Sequence, residues 1–250
     1  MTYEFWKQHS QTIPYDLLIK FDVRLCNVIA KLDAFFQKLL IKDLEKSQVR
    51  FFLAGSCIKA DTFRDIDLIF PLFEDKEAIN AALDPNYFEY ENNSYTYTFE
   101  NDIIQLVFRE KFKEAKLDFL VDGFDFDSTK IAFECVLDTK TKQVEILDCD
   151  VREEFIAYIR TKVNSLSKVS VNPFVSLQRA IHFLKRGDDV PYAVFLEICS
   201  KIADIKIEQG DKNEKFFDRL QGNEEKLKDI KEAIVSFVEH KKDELEKGEE

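Results

Sequence analysis

The stretch FLAGSCIKADTFRDIDLIF (residues 52–70) gathers the residue types best suited to chemistry. One apolar run ends at Gly55–Ser56, and a second, Leu68-Ile69-Phe70, is entered through Asp65-Ile66-Asp67. Side chains along a strand alternate between faces, so Asp65 and Asp67 point one way while Ile66 and Leu68 point into the core. Two adjacent carboxylates repel unless a proton or a cation bridges them. A pair of Mg²⁺ ions would form such a bridge, and the turn before them could offer backbone N–H groups to phosphate. The same residues also read as an ordinary strand-to-helix turn and a charge pair at a strand edge. Lys59 and Arg64 flank the stretch. Either could touch phosphate, although an exposed cation beside acidic residues needs no function.

These residues need elements to hold them. Leu17, Leu18, Phe21, Leu25, Val28, Ile29, Leu32, Phe35, Phe36 and Leu39 recur at spacings of three and four, which predicts a helix over 15–46. Strands are expected at 50–54 and 65–71, with a short helix after Gly55–Ser56. SYTYTFE (94–100) alternates strongly as a strand, and DIIQLVF (102–108) is expected to be its hairpin partner. STKIAFECVL (128–137) reads as a helix capped by Asp127, and QVEILD (143–148) as a further strand. REEFIAYIRTKV, PFVSLQRAIHFLKRG and PYAVFLEICSKIADI then read as helices. A last amphipathic helix is expected over 226–247, with Ile230, Ile234, Phe237 and Val238 on one face, after an exposed loop at 208–215. On the helix around 177–186, Leu177, Ile181 and Leu184 form a stripe expected to face inward. Arg179, His182 and Arg186 form another, free to line a cleft or to be a solvated basic face. The expected fold class is α+β, a mixed sheet with flanking helices and a helical C-terminal region. The division is 1–48 (helical, packing on the head), 49–150 (head) and 151–250 (helical neck and C-terminal helices).

Composition narrows the function. The 250 residues are 45% hydrophobic and include 24 Phe, enough for a substantial core. The net charge of −12 disfavours a broad nucleic-acid footprint, so nucleic acid would have to be held by a local patch. Small anions arriving with Mg²⁺ remain feasible. The five Cys lack C-x-x-C spacing and fit a reducing, cytoplasmic setting rather than a disulfide framework or zinc site. The three scattered His argue against a His-based metal centre. No apolar run is long enough to span a bilayer, so no membrane partner is expected, and the start lacks the layout of a signal peptide.

AGSCIKADTFRDIDLIF resembles the signature of the DNA polymerase β-type nucleotidyltransferase superfamily: Gly-Ser, a short helix, then Asp-x-Asp on a strand. GFDFDSTKIAFE resembles the Arg-Arg-Asp-Phe-Thr-x-Asn-Ala segment of CCA-adding enzymes and bacterial poly(A) polymerases. VEILDCDVREEFIAYIRTKV resembles the strand, Asp turn and helix that follow there, and SLQRAIHFLKRG their neck helix. The matches run in order over roughly residues 50–190 and concern the catalytic head and neck, not the body that holds tRNA.

The resemblance implies a nucleotidyltransferase-type fold and two Mg²⁺ ions, with Mn²⁺ as a substitute, held by Asp65 and Asp67. It places Gly55 and Ser56 on the triphosphate of a nucleoside triphosphate, with Arg179 the best candidate on the neck. His182 stands where the family pattern has Arg. The superfamily's third carboxylate, on a neighbouring strand, is matched here by Gln105. Its neutral oxygen can meet a metal but neither neutralises charge nor takes a hydroxyl proton as a carboxylate does. Asp125 could compensate from an adjacent loop, or contact the nucleotide or brace the site. Asp127 replaces the Thr of that pattern and reads as a helix cap.

Three functions follow. The first is a template-independent enzyme moving nucleotides from an NTP or dNTP onto a hydroxyl of RNA, DNA or a nucleotide. Several bacterial nucleotidyltransferases of this build make nucleotide signals in antiviral defence. The second is a toxin or antitoxin type that modifies tRNA or a protein. The third is a catalytically weakened nucleotide-binding module, motivated by Gln105. Oligomeric state is left open, with packing of the terminal helices within the chain as the default.

Overall fold

A computed structural model describes residues 4–9, 11–38, 46–54, 56–59, 63, 65–83, 88–91, 94–170 and 173–203. Two compact units divide the chain, Met1–Arg160 and Thr161–Glu250. The expected loop at 208–215 and helix at 226–247 lie outside the described residues.

The first unit is built on a seven-stranded sheet in the order β3-β4-β5-β2-β1-β6-β7. The strands are β1 (Gln48–Ala54), β2 (Asp65–Phe70), β3 (Phe88–Glu91), β4 (Ser94–Phe99), β5 (Asp102–Phe108), β6 (Ile131–Asp138) and β7 (Gln143–Val151). Neighbours pair antiparallel except β2 and β5, which run parallel. A parallel pair needs a crossover. Here it consists of helix α4 (Phe73–Ala82; α1 to α3 are given below) and the β3–β4 hairpin. The expected α+β class, a mixed sheet flanked by helices, is what the structure has.

One sheet face is almost wholly apolar. Leu53 on β1, Ile66, Leu68 and Phe70 on β2, Ile104 and Leu106 on β5, and Phe133 and Cys135 on β6 are all fully buried in one cluster. Helix α2 (Tyr15–Phe36) lays Leu18, Phe21, Leu25, Val28, Leu32 and Phe36 on this face. Aromatic rings interlock there, with Trp6 of α1 (Trp6–His9) edge-on to Phe133 at 6.0 Å and Phe36 at 6.2 Å from Phe51. Polar ties fix the helix along its length. Lys31 Nζ reaches Asp102 at the start of β5 at 2.6 Å, and Asp33 Oδ1 accepts the Val144 N–H at 2.7 Å. The helix ends at Phe36, earlier than its periodicity predicts, where Lys142 Nζ donates to the Gln37 carbonyl at 3.2 Å. Residues 39–45 lie outside the described residues.

The segment 128–137 is a strand, not a helix. Ile131, Phe133, Cys135 and Leu137 are fully buried on one face, and the segment slots between β1 and β7. A period of two rich in β-branched and aromatic residues suits that central position. Asp127 accordingly opens no helix over 128–137. It opens a 3₁₀ turn, Asp127–Thr129, that leads into β6.

The opposite face is apolar only in part. Helix α5 (Leu117–Asp122) and the 3₁₀ turn Glu110–Phe112 cover it, packing Phe112, Leu117, Leu120 and Val121 on Phe52, Ile69 and Ala132. Gly123 closes α5. A Cβ there would lie 2.5 Å from the Phe112 ring and 2.9 Å from the Leu120 carbonyl. Helix α6 (Glu153–Thr161) follows β7 and buries Phe155, Ile156 and Tyr158 in the larger cluster.

In the second unit, α7 (Pro173–Lys185) packs against α8 (Tyr192–Ala203). Asn164, fully buried, donates its backbone N–H to the Asp189 carbonyl at 2.7 Å and its Nδ2 to Asp188 at 3.3 Å. On α7 the buried residues are Phe174, Ser176, Ala180, Ile181 and Phe183, whereas Leu177 and Leu184 are half-buried. The inward stripe is therefore rotated from the one expected, toward the two Phe.

Replacing Gly123 tests the close approach that seats α5. Gly123→Ala forces Phe112 aside and should destabilise the protein by about 1–3 kcal/mol, read from the denaturation midpoint.

Candidate active site

Strand β2 settles the direction of the two carboxylates. Ile66, Leu68 and Phe70 fill the α2-side core, so Asp65 and Asp67 face the other way, with Ile69. Asp65 is buried at 5% exposure, and Asp67 is half-buried. Their Cα atoms are two strand steps apart, about 6.6 Å, within reach of a shared cation.

Gln105 lies on the strand beside Asp67. In the parallel β2–β5 register Asp67 pairs with Gln105, flanked by Ile66 with Ile104 and Leu68 with Leu106. Since Ile104 and Leu106 lie in the α2-side core, Gln105 shares the face of Asp67. Adjacent strands are about 4.8 Å apart, so Gln105 and Asp67 are immediate neighbours. On the far side of Gln105 comes Thr96 of β4, and Gln105 Nε2 donates to Thr96 Oγ1 at 3.4 Å. Sequence reasoning missed Thr96. The signal was present, because the hairpin arms were recognised and their register sets Thr96 opposite Gln105.

Helix α3 (Ser56–Lys59) follows β1, as the Gly-Ser turn predicts. Cys57 and Ile58 are fully buried, and Arg24 Nη1 of α2 donates to the Ile58 carbonyl at 3.1 Å, holding the end of the helix. The Cys57 thiol is pushed far up from its ordinary pKa, first by burial and then by the nearby charges of Asp67 and Asp65. It is thus an unreactive thiol in the core. Lys59 is not the exposed cation expected. It is buried at 7% exposure, its ammonium 5.0 Å from the centre of the Tyr158 ring. Gly55 and Arg64 lie outside the described residues, and of Ser56 only its place at the start of α3 is described.

Asp125 is buried at 2% exposure in the connection between α5 and the Asp127–Thr129 turn, and that turn packs against α3. Asp150 of β7 is a further acid that sequence reasoning did not single out. It pairs with Ala132, whose other neighbour is Ala54, and so shares a sheet face with Asp67. Burial raises its pKa, with Asp122 and Asp118 adding and Arg152 opposing; Arg152 Nη2 is 3.0 Å from it. Three strand spacings separate Asp150 from Asp67, about 14 Å, which is too far to share one ion. Arg179 and His182 are exposed on α7 of the second unit, and Arg186 is exposed just past its end.

The donor set fits a hard cation. Asp65, Asp67 and Gln105 offer only oxygen, the preference of Mg²⁺ and Mn²⁺. Among the described residues no group of three or more His, Cys, Asp or Glu is placed to hold a metal. Mg²⁺ is commonly held by one or two carboxylates, with water and substrate phosphate oxygens completing the octahedron. Asp65 and Asp67 meet that lower requirement.

No family model matches the chain, and the comparison with curated proteins returns no match. Among solved structures the chain is similar to a CCA-adding enzyme with CTP (13% identity, 70% of this chain and 46% of that one, TM-score 0.46). It is also similar to a CCA-adding enzyme with ATP (16% identity, 70% and 42%, TM-score 0.43). A third is the Thermotoga maritima CCA-adding enzyme complexed with tRNA (13% identity, 78% and 44%, TM-score 0.42). The chain spans less than half the length of each of these structures. Among the described residues no helix is long and apolar enough to cross a membrane.

Metal binding at Asp65 and Asp67 should raise the melting temperature. A cation at a hundred times its Kd stabilises the folded state by about 2.7 kcal/mol. Thermal melts with and without Mg²⁺ or Mn²⁺ should show the upward shift in the wild type and lose it in Asp65→Ala/Asp67→Ala. Without metal the double variant should melt at or above the wild-type temperature, because carboxylate repulsion is relieved.

Proposed function

We propose that this chain is a divalent-metal-dependent nucleotidyltransferase that moves a nucleotide from an NTP or dNTP onto a hydroxyl without a template. The observation that carries the reading is the β2–β5 register. It sets Asp65 and Asp67 on one face of a central strand, with Gln105 directly beside Asp67. That arrangement follows a strand, a short helix and an Asp-x-Asp strand in the order the motif resemblance requires.

Bound at Asp65 and Asp67, Mg²⁺ would lower the charge barrier between the triphosphate and the incoming hydroxyl. Phosphoryl transfer of this kind needs positioning and charge neutralisation more than covalent help from the protein. The acceptor oxygen forms its bond to the α-phosphorus as the bond to pyrophosphate breaks. Gln105 can present an oxygen but take no proton, so proton acceptance falls to Asp65, Asp67 or solvent. Ser56 at the start of α3 and the residue before it are assigned to the triphosphate. Lys59, Arg64 and Arg179 are assigned to phosphate charge, and Asp125 to bracing the site or contacting the nucleotide. The acceptor is RNA, DNA, a nucleotide or a protein, and a nucleotide signal in antiviral defence is one such product. The neutral Gln105 favours one second reading, a nucleotide-binding module with little turnover.

Incubation of the purified protein with each labelled nucleotide and Mg²⁺ or Mn²⁺, with the products sized, separates these. A ladder supports a polymerising transferase, a single adduct on tRNA or protein a modifying one, and binding without product the module. Asp65→Ala or Asp67→Ala should cut turnover by on the order of 10³ or more with the fold retained. Undiminished turnover in the double variant would sink the assignment.

Arg179 gives a separate test. Arg179→Ala should weaken nucleotide binding more than Arg179→Lys, because the planar guanidinium can contact two phosphate oxygens and an ammonium is a point charge. Binding of the unphosphorylated nucleoside should hardly change. Equal losses for both ligands would instead make Arg179 a packing residue.

A further inference from the structure

We infer that the outward face of α7 is a phosphate track for a polynucleotide strand, which serves as the acceptor in the transfer reaction. The acceptor role rests on the transferase reading, whereas the binding surface rests on the residues of α7 themselves.

A chain with a net charge of −12 repels a polyanion unless its charge is segregated. Here it is segregated. Residues 161–203, the described part of the second unit, hold six Lys or Arg against three Asp or Glu, a net charge of +3. Of those acids, Asp188 is buried and its Oδ2 accepts from Asn164 Nδ2 at 3.3 Å. Asp189 and Glu197 are the two left at the surface.

The positive charge lies along one line. From Pro173 to Arg186 the exposed residues are Arg179, His182, Lys185 and Arg186, three permanent cations and a His. Packing fixes that face, because Phe174, Ala180, Ile181 and Phe183 are buried and turn the four outward. On an α-helix these positions fall within an arc of about 120° and span about 10 Å along the axis. Phosphates of a helical strand rise about 3.4 Å each, so the line can meet two or three in succession. An ordinary solvated face mixes charges of both signs, and this one carries no exposed acid. The helix dipole draws cations into the last turn, but Arg179 stands before that turn. Arg179 is assigned above to the nucleotide; His182, Lys185 and Arg186 carry the same face past it. Tyr192, 52% exposed, opens α8 beyond the connection 187–191 and offers a ring on which a base can stack. That ring favours a polynucleotide over an acidic peptide.

Fluorescence anisotropy of a labelled single strand of about 16 nucleotides, the upper end of a single-strand site, tests this without metal or NTP. RNA and DNA strands of mixed sequence are used, with polyglutamate of similar length as the acidic-peptide probe. Either strand should bind, more weakly as salt rises, and polyglutamate should not compete. Lys185→Ala/Arg186→Ala should weaken binding alike for every sequence. It should also lower the slope of log K against log salt by about 1.4, the equivalent of two phosphate contacts. Lys111→Ala/Lys113→Ala, which removes the same charge from exposed positions of the first unit, should change neither. Thermal melts identify a variant that fails to fold, and Lys185→Gln/Arg186→Gln then replaces the Ala pair. An unchanged slope in the α7 variant, an equal loss in the first-unit control, or polyglutamate bound as tightly as the strand would overturn the inference. Transfer onto some other acceptor, with no strand binding, would overturn it and leave the transferase reading standing. Strand binding with no transfer to any acceptor would overturn the transferase reading, and the acceptor role with it.

Discussion

Strand β2 works under a constraint that the rest of the first unit serves. Its Ile66, Leu68 and Phe70 are fully buried, and its Asp65 and Asp67 point the opposite way. A slip of one residue would drive both carboxylates into the α2-side core and turn three large apolar side chains outward. Burying an unpaired charge costs far more than the hydrophobic term it would replace. The apolar trio therefore holds the carboxylates in place more firmly than any local hydrogen bond could. The parallel pairing carries that certainty to β5, since Ile104 and Leu106 are locked in the same core and fix Gln105 between them.

The second face of the sheet divides between stability and chemistry. Phe52, Ile69 and Ala132 lie under α5 and the Glu110–Phe112 turn. Two residues before Ile69 along β2, the same face becomes Asp67 and then Asp65. Gly123 lets α5 close against Phe112, and the chain then runs directly through buried Asp125 to the turn that meets α3. A single covering helix thus seals the apolar end and delivers an acidic loop toward the short helix after β1.

Much of this was legible from residue order. The Gly-Ser turn, the short helix and Asp-x-Asp have fixed spacing, and the strand alternation told which way the carboxylates point. The β4–β5 hairpin read correctly because its first arm alternates strongly and a tight turn joins it to an apolar second arm. The strand β6 was misread because Ser128-Thr129 after Asp127 mimics a helix start. Its Ile131, Phe133, Cys135 and Leu137 carry a period of two that only becomes decisive once β1 and β7 flank it. Helices α4 and α5 and the strand β3 went unread because each is short and takes its stability from the sheet. The burial of Lys59 depends on Tyr158, almost a hundred residues later, so no local pattern could reveal it.

On the proposed reading, the neutral Gln105 changes how the site fills. Two carboxylates leave one less negative charge than three, so a second cation gains less from the protein alone. The triphosphate must then supply the missing negative charge, which ties occupancy of that second position to the arrival of nucleotide. Oxygen from Gln105 still contributes a ligand, but its dipole is weaker than a full charge and depends on direction. Such a site relies on geometry where a three-carboxylate site relies on charge. That places weight on the features that fix geometry: the parallel register that sets Gln105 beside Asp67, and the buried trio on β2 that keeps the strand from moving.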